Sequence, residues 1–186
     1  MYKTYNKIES SELINKLNLN VLPQKMFKVE TSSDIETFLQ SHPAQFYSIR
    51  DNLKSNNPNR THKASKDEIL NIYKKFDICT IGISQYNYID SQILTGNIVV
   101  DSTGNVTIEG TNQKCDSARE AVNNAKYHIN TDICDKKLKY INGAYEIIDY
   151  VLEHNLQDMI VEFSVFDKNI GVNNEKVLIW ELRTNY

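Results

Sequence analysis

Two apolar runs near the C-terminal end constrain this chain most: Ile160-Val161-Glu162-Phe163-Ser164-Val165-Phe166 and Val177-Leu178-Ile179-Trp180-Glu181-Leu182-Arg183. Their β-branched and aromatic residues predict strands over 159–166 and 176–183, and the Asn- and Gly-containing interval 167–175 predicts a hairpin joining them. Each run carries a glutamate among apolar neighbours. A charge in such a place is costly unless it is paired or coordinates something. If the runs pair through their loop, Glu162 and Glu181 fall near one end of the hairpin and can share a face. Two converging carboxylates beside Arg183 suit a Mg2+–phosphate site, because Mg2+ is held by one or two carboxylates plus substrate oxygens. The same alternation also suits glutamates that simply face solvent while their neighbours face the core.

The rest of the chain alternates helices and strands without a βαβ repeat, which favours an α+β domain over a doubly wound sheet. Ser10, followed by Leu13, Ile14 and Leu17, predicts a capped helix over 10–18, and 25–29 predicts a short strand. Thr31-Ser32-Ser33-Asp34 ahead of Ile35, Phe38 and Leu39 opens a second helix, which His42-Pro43 stops. A strand follows at 46–51, then a long polar loop over 52–64. Ser65 with Glu68 forms a capping-box signature for a helix carrying Ile69, Ile72, Tyr73 and Phe76 on one face. Strands are expected at 78–86, 93–100 and 105–109, the last two joined as a hairpin through residues 101–105. Residues 116–125 read as a helix and 126–134 as irregular. A longer helix at 142–154 should bury Ile147, Ile148, Val151 and Leu152.

Composition excludes several classes. With 21 Lys+Arg against 24 Asp+Glu the formal charge is −3. No interleaved basic and aromatic stripe is present, so the electrostatic footprint of a nucleic-acid binder is missing. No run of about 18 apolar residues suggests a membrane span. The 186 residues suffice for one domain spanning 1–186 with its own core. The N-terminal stretch lacks the apolar segment of a secretory signal, so a cytoplasmic location is expected. Cys79, Cys115 and Cys134 lack metal or disulfide spacing and read as reduced, inert thiols. His42, His128 and His154 have no partner spacing suggestive of a metal. No Gly-rich phosphate loop, GxSxG or HExxH motif occurs.

The remaining candidates are cations. Arg50 closes the 46–49 apolar run, and Arg is the side chain best matched to phosphate. Arg60, His62 and Lys63 lie in the polar segment and suit closure over an anion or simple solvation. Arg119 on the 116–125 helix is of similar standing.

The order of these pieces resembles the ATP-grasp nucleotide-binding domain of the phosphoenolpyruvate synthase and pyruvate phosphate dikinase type. Leu19 through Val29 is similar to that family's "G-x-P-V-P-x-G-F-x-V" segment. Tyr47-Ser48-Ile49-Arg50-Asp51 is similar to its strand ending "V-R-S-S", with Asp51-Asn52 standing where the family has Ser-Ser. Ile83-Ser84-Gln85-Tyr86 resembles the hinge strand bordering adenine. Leu94–Val100 with Val106–Glu109 resembles the hairpin that follows it. Val161-Glu162-Phe163 and Ile179-Trp180-Glu181-Leu182-Arg183 resemble the closing strands whose acidic groups bind Mg2+.

The resemblance implies an ATP-grasp-like α+β fold of antiparallel hairpins packed against helices, with ATP and Mg2+ as cofactors. Arg50 and Lys63 would position phosphates, Gln85 and Tyr86 would border the base, Glu162 and Glu181 would hold the metal, and Arg50 and Arg183 would serve the chemistry. The expected activity is phosphoryl transfer or ATP-driven ligation on an unidentified acceptor. The alternative is a non-catalytic binding or regulatory protein, of mobile-element type, acting on a host protein or an anionic ligand. Its 11 Tyr suit a contact surface.

Overall fold

A computed structural model describes residues 3–4, 6–28, 32–52 and 60–184. The chain divides into two compact units, a larger one of Met1–Val21 with Ile89–Tyr186 and a smaller one of Leu22–Tyr88.

In the smaller unit β1 (Gln24–Lys28), β2 (Tyr47–Asp51), β3 (Arg60–Ala64) and β4 (Ile78–Ile83) form an antiparallel sheet in the order β1-β4-β2-β3. Alternation in β2 sends Tyr47, Ile49 and Asp51 to one face and Ser48 and Arg50 to the other. The first face meets α2 (Ser32–Ser41) and α3 (Lys66–Ile72) in a core of Phe27, Ile35, Phe38, Leu39, Tyr47, Ile49, Ile69 and Ile81. The expected capping box is present. Ser65 Oγ accepts the Glu68 amide, while the Glu68 carboxylate accepts the Ser65 amide at 2.7 Å.

The larger unit holds a five-stranded antiparallel sheet in the order β7-β6-β5-β8-β9, made of β5 (Gln92–Val100), β6 (Asn105–Thr111), β7 (Tyr127–Asp132), β8 (Met159–Ile170) and β9 (Glu175–Thr184). One face carries Ile98, Val100, Val106, Ile108, Val161, Phe163, Ile179 and Leu182 into a core with α1 (Lys7–Lys16) and α5 (Ala144–Glu153). A short helix, α4 (Ala118–Asn123), completes the unit. The long hairpin β8–β9 is fastened by Asn20, which is fully buried. Its Nδ2 donates to the carbonyls of Ile170 and Val177 at 3.0 and 2.7 Å, its Oδ1 accepts the Asn173 amide, and its own amide donates to Tyr150 Oη. Gly171, at φ +80°, is required beside it, since a Cβ there would lie 2.4 Å from Asn20 Oδ1.

Several expectations are corrected. The first helix starts at Lys7, because Asn6 accepts the Ile8 and Glu9 amides and acts as its cap. Ser10 lies inside that helix, where its hydroxyl accepts the Leu182 amide at 2.8 Å. Residues 60–64 of the expected loop form β3, a polar strand whose backbone is satisfied by pairing with β2. Residues 53–59 of that loop, together with Val29 and Thr31, lie outside the described residues. The strand expected to reach Tyr86 ends at Ile83, and Gln85–Ser91 is a 3-10 helix. Residues 127–132 are strand rather than irregular. Leu152 is 36% exposed, because it sits on the outer flank of α5.

Candidate functional site

On the larger sheet Glu162 of β8 is the register partner of Glu181 of β9. Arg183 lies two residues beyond Glu181, hence on the same face. Arg183 Nη2 donates to Glu162 Oε1 at 2.8 Å, and its Nε stands 3.9 Å from Glu181 Oε1. Lys7 Nζ, from α1, stands 3.6 Å from Glu181 Oε2. The carboxylates are the sheltered members of this cluster, with side chains 21% and 14% exposed against 44% for Arg183 and 41% for Lys7. The sequence expectation that the two glutamates share a face therefore matches the register. They are neither buried in the apolar core nor fully in water.

The row continues across the sheet. Asn97 of β5 pairs in register with Glu162, and Glu109 of β6 with Asn97. Asn97 Oδ1 is buried and has no hydrogen-bond partner. An unsatisfied buried oxygen asks for an explanation, and an absent ion or water is one. Two sheltered carboxylates plus a nearby neutral oxygen are a hard-oxygen donor set of the kind Mg2+ prefers, so the residues present fit that ion. Among the described residues no group of three or more His, Cys, Asp or Glu is poised to hold a metal. A cation here would depend on ligand oxygens for the rest of its coordination shell.

Farther along the same face a polar chain runs from Trp180 Nε1 to Ser164 Oγ at 2.9 Å and on to Thr95 Oγ1 at 2.9 Å. It fixes the indole beside Glu181. The register shifts between Glu162 and Phe163, a bulge that places Trp180 between paired positions and lets Glu181 stay opposite Glu162.

The cations expected to meet phosphate lie in the smaller unit. Arg50 of β2 is opposite Arg60 of β3 and Thr80 of β4. Lys63 Nζ donates to Tyr86 Oη at 3.0 Å and stands 4.1 Å from the Tyr86 ring centroid and 5.2 Å from that of Phe46. Phe46 and Tyr86 meet edge to face at 5.3 Å. Gln85 is 6% exposed and opens the 3-10 helix after β4. The structure thus brings Lys63 to Tyr86 and sets Arg50 on the strand next to the one that carries Lys63. Ser84 Oγ donates to the His62 carbonyl and ties this turn to β3.

Sequence reasoning missed Lys7, Asn97 and Phe46. Lys7 sits ahead of the expected helix start, and Asn97 is an unremarkable polar residue whose importance comes only from its register with Glu162. The thiols play no part in this chemistry. Burial pushes both Cys79 and Cys115 up to about 11, helped by Asp51 at the first and Glu120 at the second, while Cys134 is exposed.

No family model matches this chain, and no curated protein does. Solved structures do match. D-alanyl-alanine synthetase A from Vibrio cholerae aligns with 97% of this chain at 12% identity and a TM-score of 0.50, over 54% of its own length. N5-carboxyaminoimidazole synthetase from Staphylococcus aureus aligns with 97% at 14% identity and a TM-score of 0.50, over 44% of its length. The enzyme from Aspergillus clavatus in complex with ADP and 5-aminoimidazole ribonucleotide aligns with 97% at 8% identity and a TM-score of 0.50, over 44% of its length. These are ATP-grasp proteins. The fold is ATP-grasp.

This chain spans about half the length of the structures it matches. The α+β class and the packing of antiparallel hairpins on helices agree with the sequence expectation. The three neighbours are described as a D-alanyl-alanine synthetase, an N5-carboxyaminoimidazole synthetase and an N5-carboxyaminoimidazole synthase, and the expected dikinase type has no counterpart among them. No helix among the described residues is long and apolar enough to cross a membrane.

Proposed function

We propose that the protein binds Mg-ATP and uses it for ATP-driven ligation or phosphoryl transfer to an acceptor. The observation that carries this reading is the register pairing of Glu162 with Glu181 on one face of an ATP-grasp sheet, with Arg183 against both. In this reading Glu162 and Glu181 hold Mg2+, which when bound offsets the charge of the polyphosphate. Arg50 and Lys63 position phosphate oxygens, and Gln85 and Tyr86 border the base. Arg183 offsets charge that develops on the transferred group. Phosphoryl transfer depends mainly on positioning and charge stabilisation, so this inventory needs no protein nucleophile. The synthetase activities named for the structural neighbours favour ligation over a dikinase reaction. The proposal includes a cytoplasmic setting and a small-molecule acceptor. A second reading, a non-catalytic binder of an anionic ligand or a protein, draws on the pairing of both glutamates with Arg183 and Lys7.

Calorimetric titration with ATP, in Mg2+ and again in EDTA, separates the two. The first reading expects Mg2+ to tighten binding by tenfold or more, about 1.4 kcal/mol. That increment should vanish in the Glu162→Gln/Glu181→Gln double variant, whose folding is checked by Trp180 fluorescence. Equal binding in both media, or an unchanged increment in the double variant, overturns it.

A further inference from the structure

The acidic pair already has its counter-charges. Two carboxylates, Glu162 and Glu181, face two cations, Arg183 and Lys7, so each carboxylate has a cation within ion-pair distance without any ligand. The strongest contact is the 2.8 Å bond from Arg183 Nη2 to Glu162 Oε1. The same guanidinium reaches toward Glu181 from its other edge, at 3.9 Å. One planar cation therefore engages both carboxylates, the role that a divalent ion would otherwise fill.

We infer that Arg183 is a resident counter-ion which keeps the Glu162–Glu181 pair closed to a divalent cation until a nucleotide phosphate draws the guanidinium away, so that metal and nucleotide bind as a coupled unit. The inference rests on the nucleotide-binding reading above. Three features support it. A guanidinium left beside the carboxylates repels an incoming divalent cation. Mg2+ dehydrates reluctantly and is seldom held by two carboxylates alone, so it gains little by displacing Arg183 unaided. Phosphate matches the guanidinium's fork as well as a carboxylate does and brings more negative charge, so it is the partner that can release Arg183.

The anatomy permits the exchange. Arg183 is the more exposed member of its pair, at 44% against 21%, and its long side chain can pivot about a β9 backbone that stays in place. Lys7 is tethered to Glu181 only at 3.6 Å and comes from a different element, so it offsets charge without bridging the pair. Because coupling between two ligands is reciprocal, a metal that binds only with nucleotide must tighten nucleotide by the same factor.

The test follows Mn2+ by the loss of its free-ion electron paramagnetic resonance signal, using the full chain with and without a non-hydrolysable ATP analogue. Native protein should take up Mn2+ weakly alone and at least about tenfold more tightly with the analogue. Arg183→Gln should bind Mn2+ alone about tenfold more tightly than native protein, shrinking the gain from nucleotide, and Arg183→Lys, which keeps the charge but not the planar fork, should fall between the two. An Arg183→Gln variant with native Mn2+ affinity, or native protein equally tight with and without nucleotide, overturns the inference. Native protein and Glu162→Gln/Glu181→Gln identify which idea has failed. Loss of nucleotide-assisted Mn2+ binding in the double variant leaves the nucleotide reading standing, whereas its retention, or no Mn2+ binding by native protein, removes both.

Discussion

On the face of the four-stranded sheet away from its apolar core Arg50 stands opposite Arg60, and on the face of the five-stranded sheet away from its α1 and α5 core Glu162 stands opposite Glu181. Like charges in register destabilise a sheet unless opposite charge is supplied. The larger sheet supplies it from within, through Arg183 and Lys7. In the smaller sheet the nearby Lys63 engages a phenol and two aromatic rings. The contrast teaches that the larger sheet sets opposite charge against its like-charged register pair, whereas the smaller sheet turns a lysine onto aromatic rings.

The units also differ in how they are fastened, and this can be broken experimentally. In the larger unit the buried Asn20 side chain, together with backbone bonds from Val172 and Ile179, ties the β8–β9 hairpin to residues 20–21. Asn20→Ala strips partners from the carbonyls of Ile170 and Val177 and from the Asn173 amide. At about 1–3 kcal/mol for each buried group left unsatisfied, and with partial relaxation, the loss should reach about 3 kcal/mol. Urea unfolding followed through Trp180, the chain's one tryptophan, reads it within the same unit. A loss below about 1 kcal/mol would show that the hairpin does not depend on this amide.

The smaller unit adds to its apolar core local signals of lesser individual weight. Ser65→Ala removes one half of the α3 capping box and should cost about 1 kcal/mol, read as faster hydrogen exchange at the Glu68 amide. Unchanged exchange there would mean the tertiary core, not the cap, sets the helix start.

The smallest expected effect concerns the thiols, one deeply placed in each unit. At pH 8 a disulfide reagent should modify Cys134 quickly while Cys79 and Cys115, with pKa values near 11, react only on unfolding. Rapid reaction of a second thiol in the folded protein would contradict the burial of one of the two cores.

Much of this architecture was legible in the residues. The C-terminal hairpin announced itself because apolar alternation and an Asn/Gly loop specify both strands, whereas the bulge that sets Glu181 opposite Glu162 had no signal in the residues. The Ser65–Glu68 cap was legible for the same reason, a local pattern with a local cause. What escaped was polar structure stabilised from a distance. The β3 strand reads Arg-Thr-His-Lys-Ala and exists through its pairing with β2. The β7 strand alternates Tyr127, Ile129 and Thr131 with His128, Asn130 and Asp132, a period of two whose apolar side is too weak to stand out. Among the candidate residues the acidic pair and Arg183 of the larger unit, and Lys63 and Tyr86 of the smaller, were readable as residue types. Lys7 and Asn97 were not, because helix packing and strand register, rather than any motif, bring them to the glutamates.

The most direct test of the central claim is thermal unfolding of the full chain with ATP plus Mg2+, with ATP in EDTA, and with neither. A ligand that binds only the folded state stabilises it by RT ln(1 + [L]/Kd), about 2.7 kcal/mol at a hundredfold excess over Kd. The account predicts a rise in Tm with ATP plus Mg2+ that largely disappears in EDTA. No rise with ATP under either condition would contradict it.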